Sequence, residues 1–169
     1  VNSLSIGLVG CGLFGESHLQ AFRAVPQARV EAVYDLVPER ARQLAADFQV
    51  PRVCSSLDEL CRLPSIQAVD VVTPEQLHAE SVIRALTCGK HVFVEKPLAT
   101  ELADCSRMID AADLADRFMM VGHVLRFETK YAMLREKVAS GSLGQIVSLH
   151  GRRNRRQADL ARYCRAHLV

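Results

Sequence analysis

Three glycines and one aspartate are the first residues here whose types and spacing suit chemistry: Gly10, Gly12 and Gly15, as Gly-x-Gly-x-x-Gly, with Asp35 twenty positions beyond Gly15. Gly10 suits a tight turn, Gly12 lets a pyrophosphate approach the backbone, and Gly15 lets the following helix pack closely on the preceding strand. Amides at that helix start, together with its dipole, would bind the phosphates. Leu13 and Phe14, between the last two glycines, belong to the same stretch. Asp35 stands near the distance at which an acid takes the ribose hydroxyls; it would repel a 2′-phosphate, so NAD is expected over NADP. Arg40, five residues further, could reach a phosphate and keeps NADP open. The plainer alternative is a bare turn, with Asp35 capping the next helix. The order strand, turn, helix, strand, acid favours the cofactor.

Those residues need a scaffold, and the hydrophobic pattern supplies one. Leu4–Val9 is a short apolar run bounded by glycine, as a strand buried on both faces requires. A helix is predicted over 15–24 and a second strand over 29–35. A second helix starts at Pro38 and carries Ala41, Leu44, Ala45 and Phe48 on one face. A third strand is expected over 50–54, then a short helix with Ser56 as N-cap. The fourth strand, over 68–72, is apolar apart from Asp70. Thr73-Pro74-Glu75-Gln76 reads as a capping box with Pro74 at the first helical position, ahead of the stripe Ala79, Val82, Ile83, Leu86 and a C-terminal Gly89. His91–Val94 is the fifth strand, running into Glu95-Lys96-Pro97. A helix over 101–115 behind Thr100, and a sixth strand over 118–121, complete the alternation of a doubly wound parallel sheet, an α/β fold. That domain is placed at residues 1–124. Beyond it come a helix over 130–140, a strand over 145–150 and an arginine-rich stretch with Arg152, Arg153, Arg155, Arg156, Arg162 and Arg165. Residues 125–169 are read as the beginning of a second, incomplete α/β domain.

Composition narrows the function classes. Hydrophobic residues at 49% and charged residues at 24% are ordinary globular usage, which argues against disorder. Aromatics at 5% without Trp argue against a base-stacking surface, and a net charge of +2 is too small to imply a polyanionic partner, so no nucleic acid is expected. Six cysteines carry no metal-ligand spacing; they read as reduced thiols of a cytoplasmic protein, with no metal. No apolar stretch nears the roughly 20 residues that span a bilayer, so no membrane association is expected. His18, His91 and His150 are taken as structural.

Taken in order, Gly10 to Gly15, Thr73-Pro74-x-x-x-His78, Gly89-Lys90-His91-Val92 with Glu95-Lys96-Pro97, and Gly122-His123-x-x-Arg126-Phe127 closely resemble the Gfo/Idh/MocA oxidoreductases, the family of glucose-fructose oxidoreductase and inositol dehydrogenase. The resemblance spans nearly all of residues 4–153. It implies a Rossmann domain followed by an α/β domain that covers the nicotinamide, and a homo-oligomer in the full-length form. It also implies hydride transfer between NAD(P) and a secondary alcohol of a polyol or sugar-like small molecule, as in an inositol 2-dehydrogenase. Lys96 matches the family lysine beside the nicotinamide and the reacting hydroxyl; an ammonium there can polarise the oxygen and relay its proton. Glu95 belongs to the same motif. Thr73, Pro74 and His78 match the stretch passing the nicotinamide ribose, while His123 and Arg126 match the segment that links the domains, where Arg126 could bind a substrate hydroxyl or a cofactor phosphate. Read without the family, Lys96 is a solvated strand-end lysine, His78 a surface or capping residue, and Arg126 a salt-bridge partner. The family's Asp-x-Gly-x-His segment has no counterpart here, and Asp159 and His167 stand outside that context. On this reading the chain alone is expected to be inactive. The rival function is a non-catalytic nicotinamide-binding regulatory module, which would need no lysine in the Glu-Lys-Pro setting.

Overall fold

A computed structural model describes residues 3–152 and 154 of the chain, which divides into two units between Gly122 and His123. In the first unit, six strands lie parallel: β1 (Leu4–Val9), β2 (Ala28–Tyr34), β3 (Arg52–Val53), β4 (Ala68–Val71), β5 (His91–Val94) and β6 (Met119–Val121). Their order is β3-β2-β1-β4-β5-β6. The chain runs outward from β1 to β3, then crosses back to β4. The carboxyl ends of β1 and β4 therefore flank the point where ligands of such sheets bind.

Strand alternation sorts the side chains to the two faces. Leu8 and Val33 join Leu19 of α1 (Leu13–Phe22) and Ala41, Leu44 and Ala45 of α2 (Pro38–Phe48) in one core. Their neighbours Val9 and Ala32, with Val69, Val71, Val92 and Val94, join Leu60 of α3 (Leu57–Arg62), Val82 and Leu86 of α4 (His78–Thr87) and Met108 of α5 (Leu102–Ala115) in the other. Each fully buried Val, Leu or Met contributes roughly 1.5–3 kcal/mol, so burial on both faces dominates the stability of the unit. Between Val69 and Val71, Asp70 breaks the run; it pairs in register with Leu8 and Phe93 and is 1% exposed.

Several local expectations need correction. α1 begins at Leu13, with Gly12 as its N-cap, so Leu13 and Phe14 are helical. The third strand shrinks to two residues. The capping box does not form: Pro74 is extended at φ −55°, ψ 143°, a 3₁₀ turn over Glu75–Leu77 follows, and α4 starts only at His78. Thr100 does not cap α5, because Glu101 is still extended and takes the N-cap place itself. Ser56 does cap α3, accepting the Glu59 amide at 3.0 Å. Gly89, with φ +74°, ends α4 as expected.

The second unit holds a 3₁₀ turn over Val124–Phe127, into which the expected boundary at Val124 falls, and α6 (Thr129–Ala139). No strand forms over 145–150: the segment pairs with no strand among the described residues, and a β-prone segment becomes a strand only with a hydrogen-bonding neighbour. Arg153, Arg155, Arg156, Asp159, Arg162, Cys164, Arg165 and His167 lie outside the described residues. No helix among the described residues is long and apolar enough to cross a membrane.

Candidate active site

The glycine turn is packed tightly below and open above. Gly10 has φ +104°, and a Cβ there would lie 2.8 Å from the Val72 carbonyl, so the turn sits directly on the end of β4. At Gly15 a Cβ would stand 2.3 Å from the Gly10 oxygen, which places α1 against the turn. At Gly12 it would meet nothing within 4 Å. No side chain caps α1, and the amides of a helix's first turn are donors suited to an anion. These residues fit a pyrophosphate lying over Gly12.

Asp35 follows β2 and locks this turn. Its Oδ2 accepts the Cys11 amide at 2.7 Å and its Oδ1 accepts the Val37 amide at 2.8 Å. A carboxylate has about four lone-pair sites, so two remain for hydroxyl donors. Burial, with the charge of Asp35 adding to it, pushes the Cys11 thiol up to about 12, which keeps it an inert filler. Arg40 is exposed in the first turn of α2.

At the carboxyl end of β5, the Lys96 ammonium lies 5.2 Å from the centre of the Phe14 ring, a cation–π distance that joins the Glu-Lys-Pro turn to the glycine turn. The Lys96–Pro97 peptide is cis. Glu95 Oε2 accepts the Lys96 amide at 3.0 Å and is 3.6 Å from Lys96 Nζ.

His78 turns out to be a strut. It is 1% exposed, with Nδ1 2.9 Å from the Pro97 oxygen and Nε2 2.9 Å from the Thr73 oxygen. Both ring nitrogens thus lie within hydrogen-bond distance of main-chain carbonyls, and the ring bridges the end of β4 and the turn after Lys96. Thr73 Oγ1 is buried without a hydrogen-bond partner, while Pro74 is exposed. His123 and Arg126 are exposed residues of the second unit.

His18, read from the sequence as structural, has partners that the sequence reading did not name. From α1 its Nδ1 reaches Asp70 Oδ2 at 2.8 Å, and its Nε2 stands 3.4 Å from Glu95 Oε1. Burial opposes a charge on His18, but hydrogen bonds to Asp70 and Glu95 and their charges outweigh it and push its pKa up to about 9. Burial would likewise raise Glu95; the His18 ring, the Lys96 amide and the two cations outweigh it and hold Glu95 below its ordinary value. For Asp70 burial wins, and its pKa is raised despite His18. The sequence did carry the signal: a lone carboxylate inside a buried strand needs a partner on the helix that covers it.

Comparison with known proteins supports the same reading. The model of the Gfo/Idh/MocA oxidoreductase family, described as having an NAD-binding Rossmann fold, matches residues 4–123. An inositol 2-dehydrogenase of Acidothermus cellulolyticus is 37% identical over 150 residues, 88% of this chain and 44% of that protein. A 2,7-anhydro-N-acetylneuraminate hydratase of Escherichia coli is 36% identical over 151 residues, 89% of this chain and 40% of that one. The solved levoglucosan dehydrogenase in complex with NADH and levoglucosan superposes with a TM-score of 0.80 at 31% identity, covering 86% of this chain and 41% of that structure. The chain therefore spans about two fifths of the length of these relatives. With its glycine turn, its Glu-Lys-Pro turn and its strand order all in place, the chain belongs to the Gfo/Idh/MocA family of NAD-binding Rossmann-fold oxidoreductases.

Proposed function

We propose that this chain supplies the cofactor-binding side of a dehydrogenase that moves a hydride between NAD and a secondary alcohol of a sugar-like or cyclitol substrate. The observation that carries the reading is the Lys96 ammonium held over Phe14, because it puts a proton-carrying group beside the turn that is open above Gly12. Family membership alone leaves the reaction open, since one relative is named a hydratase. A bound nicotinamide would accept or donate the hydride. The protein's own residues do the rest: α1 amides bind the pyrophosphate, Asp35 accepts the ribose hydroxyls, and Lys96 polarises the substrate oxygen and relays its proton. His123 and Arg126 are assigned to substrate hydroxyls, and a homo-oligomer is the proposed assembly. NAD is favoured because Asp35, already fixed by two amides, presents its remaining lone pairs to donors and its charge against a 2′-phosphate.

The test is a calorimetric titration of the chain with NADH and NADPH, alongside an assay of NAD reduction with a panel of cyclitols and sugars in protein that joins this chain to a complete second domain. Tighter NADH binding is expected. Tighter NADPH binding would overturn the cofactor assignment, and NADH binding unaffected by Asp35→Ser would remove Asp35 from it.

A further inference from the structure

We infer that His18 is a positioning residue for Lys96: set between Asp70 and Glu95, it fixes the Glu95 carboxylate, and that carboxylate holds the Lys96 ammonium in place over Phe14. The inference rests on the proposed role of Lys96 as the proton-carrying group.

Four charged groups follow one another from the middle of the sheet to its carboxyl edge. Asp70 on β4 meets His18 on α1, His18 meets Glu95 at the end of β5, and Glu95 meets Lys96, at 2.8, 3.4 and 3.6 Å in turn. Signs alternate along the series, so each carboxylate lies beside a cation. Both ring nitrogens of His18 face carboxylate oxygens, and only the imidazolium can donate to both. Its raised pKa keeps that form at neutral pH.

Glu95 is held from three directions. His18 stands at Oε1 and the Lys96 amide at Oε2. Gly122, which follows β6, closes the third: a Cβ there would lie 3.1 Å from Glu95 Oε1 and 3.2 Å from the Phe93 ring. The absence of a side chain at Gly122 is what gives the carboxylate its place. Lys96 is 42% exposed and has a long flexible stem, so it would lose rotamer freedom only against a fixed partner. A fixed Glu95 supplies that partner, and proton transfer depends on such placement.

Asp70 shows that the arrangement is not a packing device. Its neighbours Val69 and Val71 are fully buried apolar residues, whereas Asp70 Oδ1 is buried without a hydrogen-bond partner. Burying a carboxylate is costly, and an apolar pair of similar volume often serves stability equally well. What a valine at this position could not do is hold His18 charged and aimed at Glu95.

The chain has four lysines, Lys90, Lys96, Lys130 and Lys137, so selective ¹³C-lysine labelling gives an easily assigned set of side-chain NMR signals. In the parent chain at neutral pH, the Lys96 ε-methylene should be displaced from those of Lys130 and Lys137 by the Phe14 ring. Its displacement should fade as His18 titrates, with a midpoint near 9. In His18→Gln it should be lost at neutral pH while far-UV circular dichroism stays unchanged. Glu95→Gln, which leaves His18 and Asp70 paired, should lose it as well and covers the case in which His18→Gln fails to fold. A Lys96 signal that stays displaced in either folded variant, or that ignores the His18 titration, overturns the inference. NADH titration of the same samples reads the cofactor assignment separately: a parent chain that fails to bind NADH, yet whose Lys96 signal follows His18, upholds the positioning role and removes the cofactor reading.

Discussion

Deprotonating His18 should cost the fold a measurable part of its stability, and the pH window is defined. Folding raises the His18 pKa from 6.5 to about 9, so its contribution is complete below 6.5 and is lost as pH climbs through about 9. At roughly 1.36 kcal/mol per pH unit the ceiling is about 3 kcal/mol. His18 is 17% exposed and tied to a second titrating group, which makes about 1–3 kcal/mol the reasonable expectation. Asp70 has the same sign, beginning above its ordinary 3.8, because burial raises its pKa too. Cys11 and Cys61, whose thiols burial pushes from 9.0 up to about 12, join in only above pH 9. Urea denaturation at about pH 6 and about pH 9 therefore brackets the effect. With no Trp in the chain, far-UV circular dichroism is the probe. The control is His18→Gln/Asp70→Asn, which removes both titrating groups and keeps an amide-to-amide contact; it should be flat across the window. A parent chain that is equally stable at both pH values, or a double variant that keeps the parent's slope, would refute the reasoning.

Three further outcomes follow from distances. Gly12→Ala meets nothing within 4 Å, so stability should stay within about 0.5 kcal/mol while NADH affinity falls at least about tenfold, as read by calorimetry. Gly15→Ala puts a methyl 2.3 Å from the Gly10 oxygen and should cost roughly 1–3 kcal/mol in urea denaturation. In protein that oxidises a polyol, Lys96→Ala should lower kcat by roughly 10²–10⁴-fold with NADH affinity nearly unchanged. Lys96→Arg should not restore kcat, because a guanidinium holds its proton too firmly. Near-normal kcat in either variant would remove Lys96 from the chemistry.

Much of the fold was legible because it rests on local pattern. Buried parallel strands are short apolar runs, and β1 and β5 fall at the expected bounds. Ser56 at the start of α3 acts through a group three residues away, so spacing reveals it, whereas α1 starts two residues earlier than its apolar pattern shows. What failed depended on groups distant in sequence. Thr73 and Gln76 have the spacing of a capping box, but Pro74 is extended and the helix starts only at His78, whose ring lies 2.9 Å from the Thr73 oxygen. Thr100 is a good N-cap residue placed two positions before the backbone turns helical, one too early to cap. The segment 145–150 carries Ile146, Val147 and Leu149, yet a strand is a property of two segments.

His18 marks the deeper limit. A lone histidine in an amphipathic helix is usually structural, and nothing within a turn of it suggests otherwise. Asp70 is the residue that changes its meaning, and the two are fifty-two positions apart. The link is nevertheless derivable. β1 must lie beside β4 once the chain crosses back at the switch point, so Asp70 takes a place in the sheet next to Leu8. Leu8 packs under α1 in the same core as Leu19, the residue after His18. A charge in that strand, covered by that helix, calls for a polar or basic partner on the helix, and His18, in its second turn, occupies such a position. Topology is the step that periodicity lacks: once strand order is known, the apparent flaw in an apolar strand becomes a pointer to Glu95 and Lys96 at the carboxyl edge of the sheet.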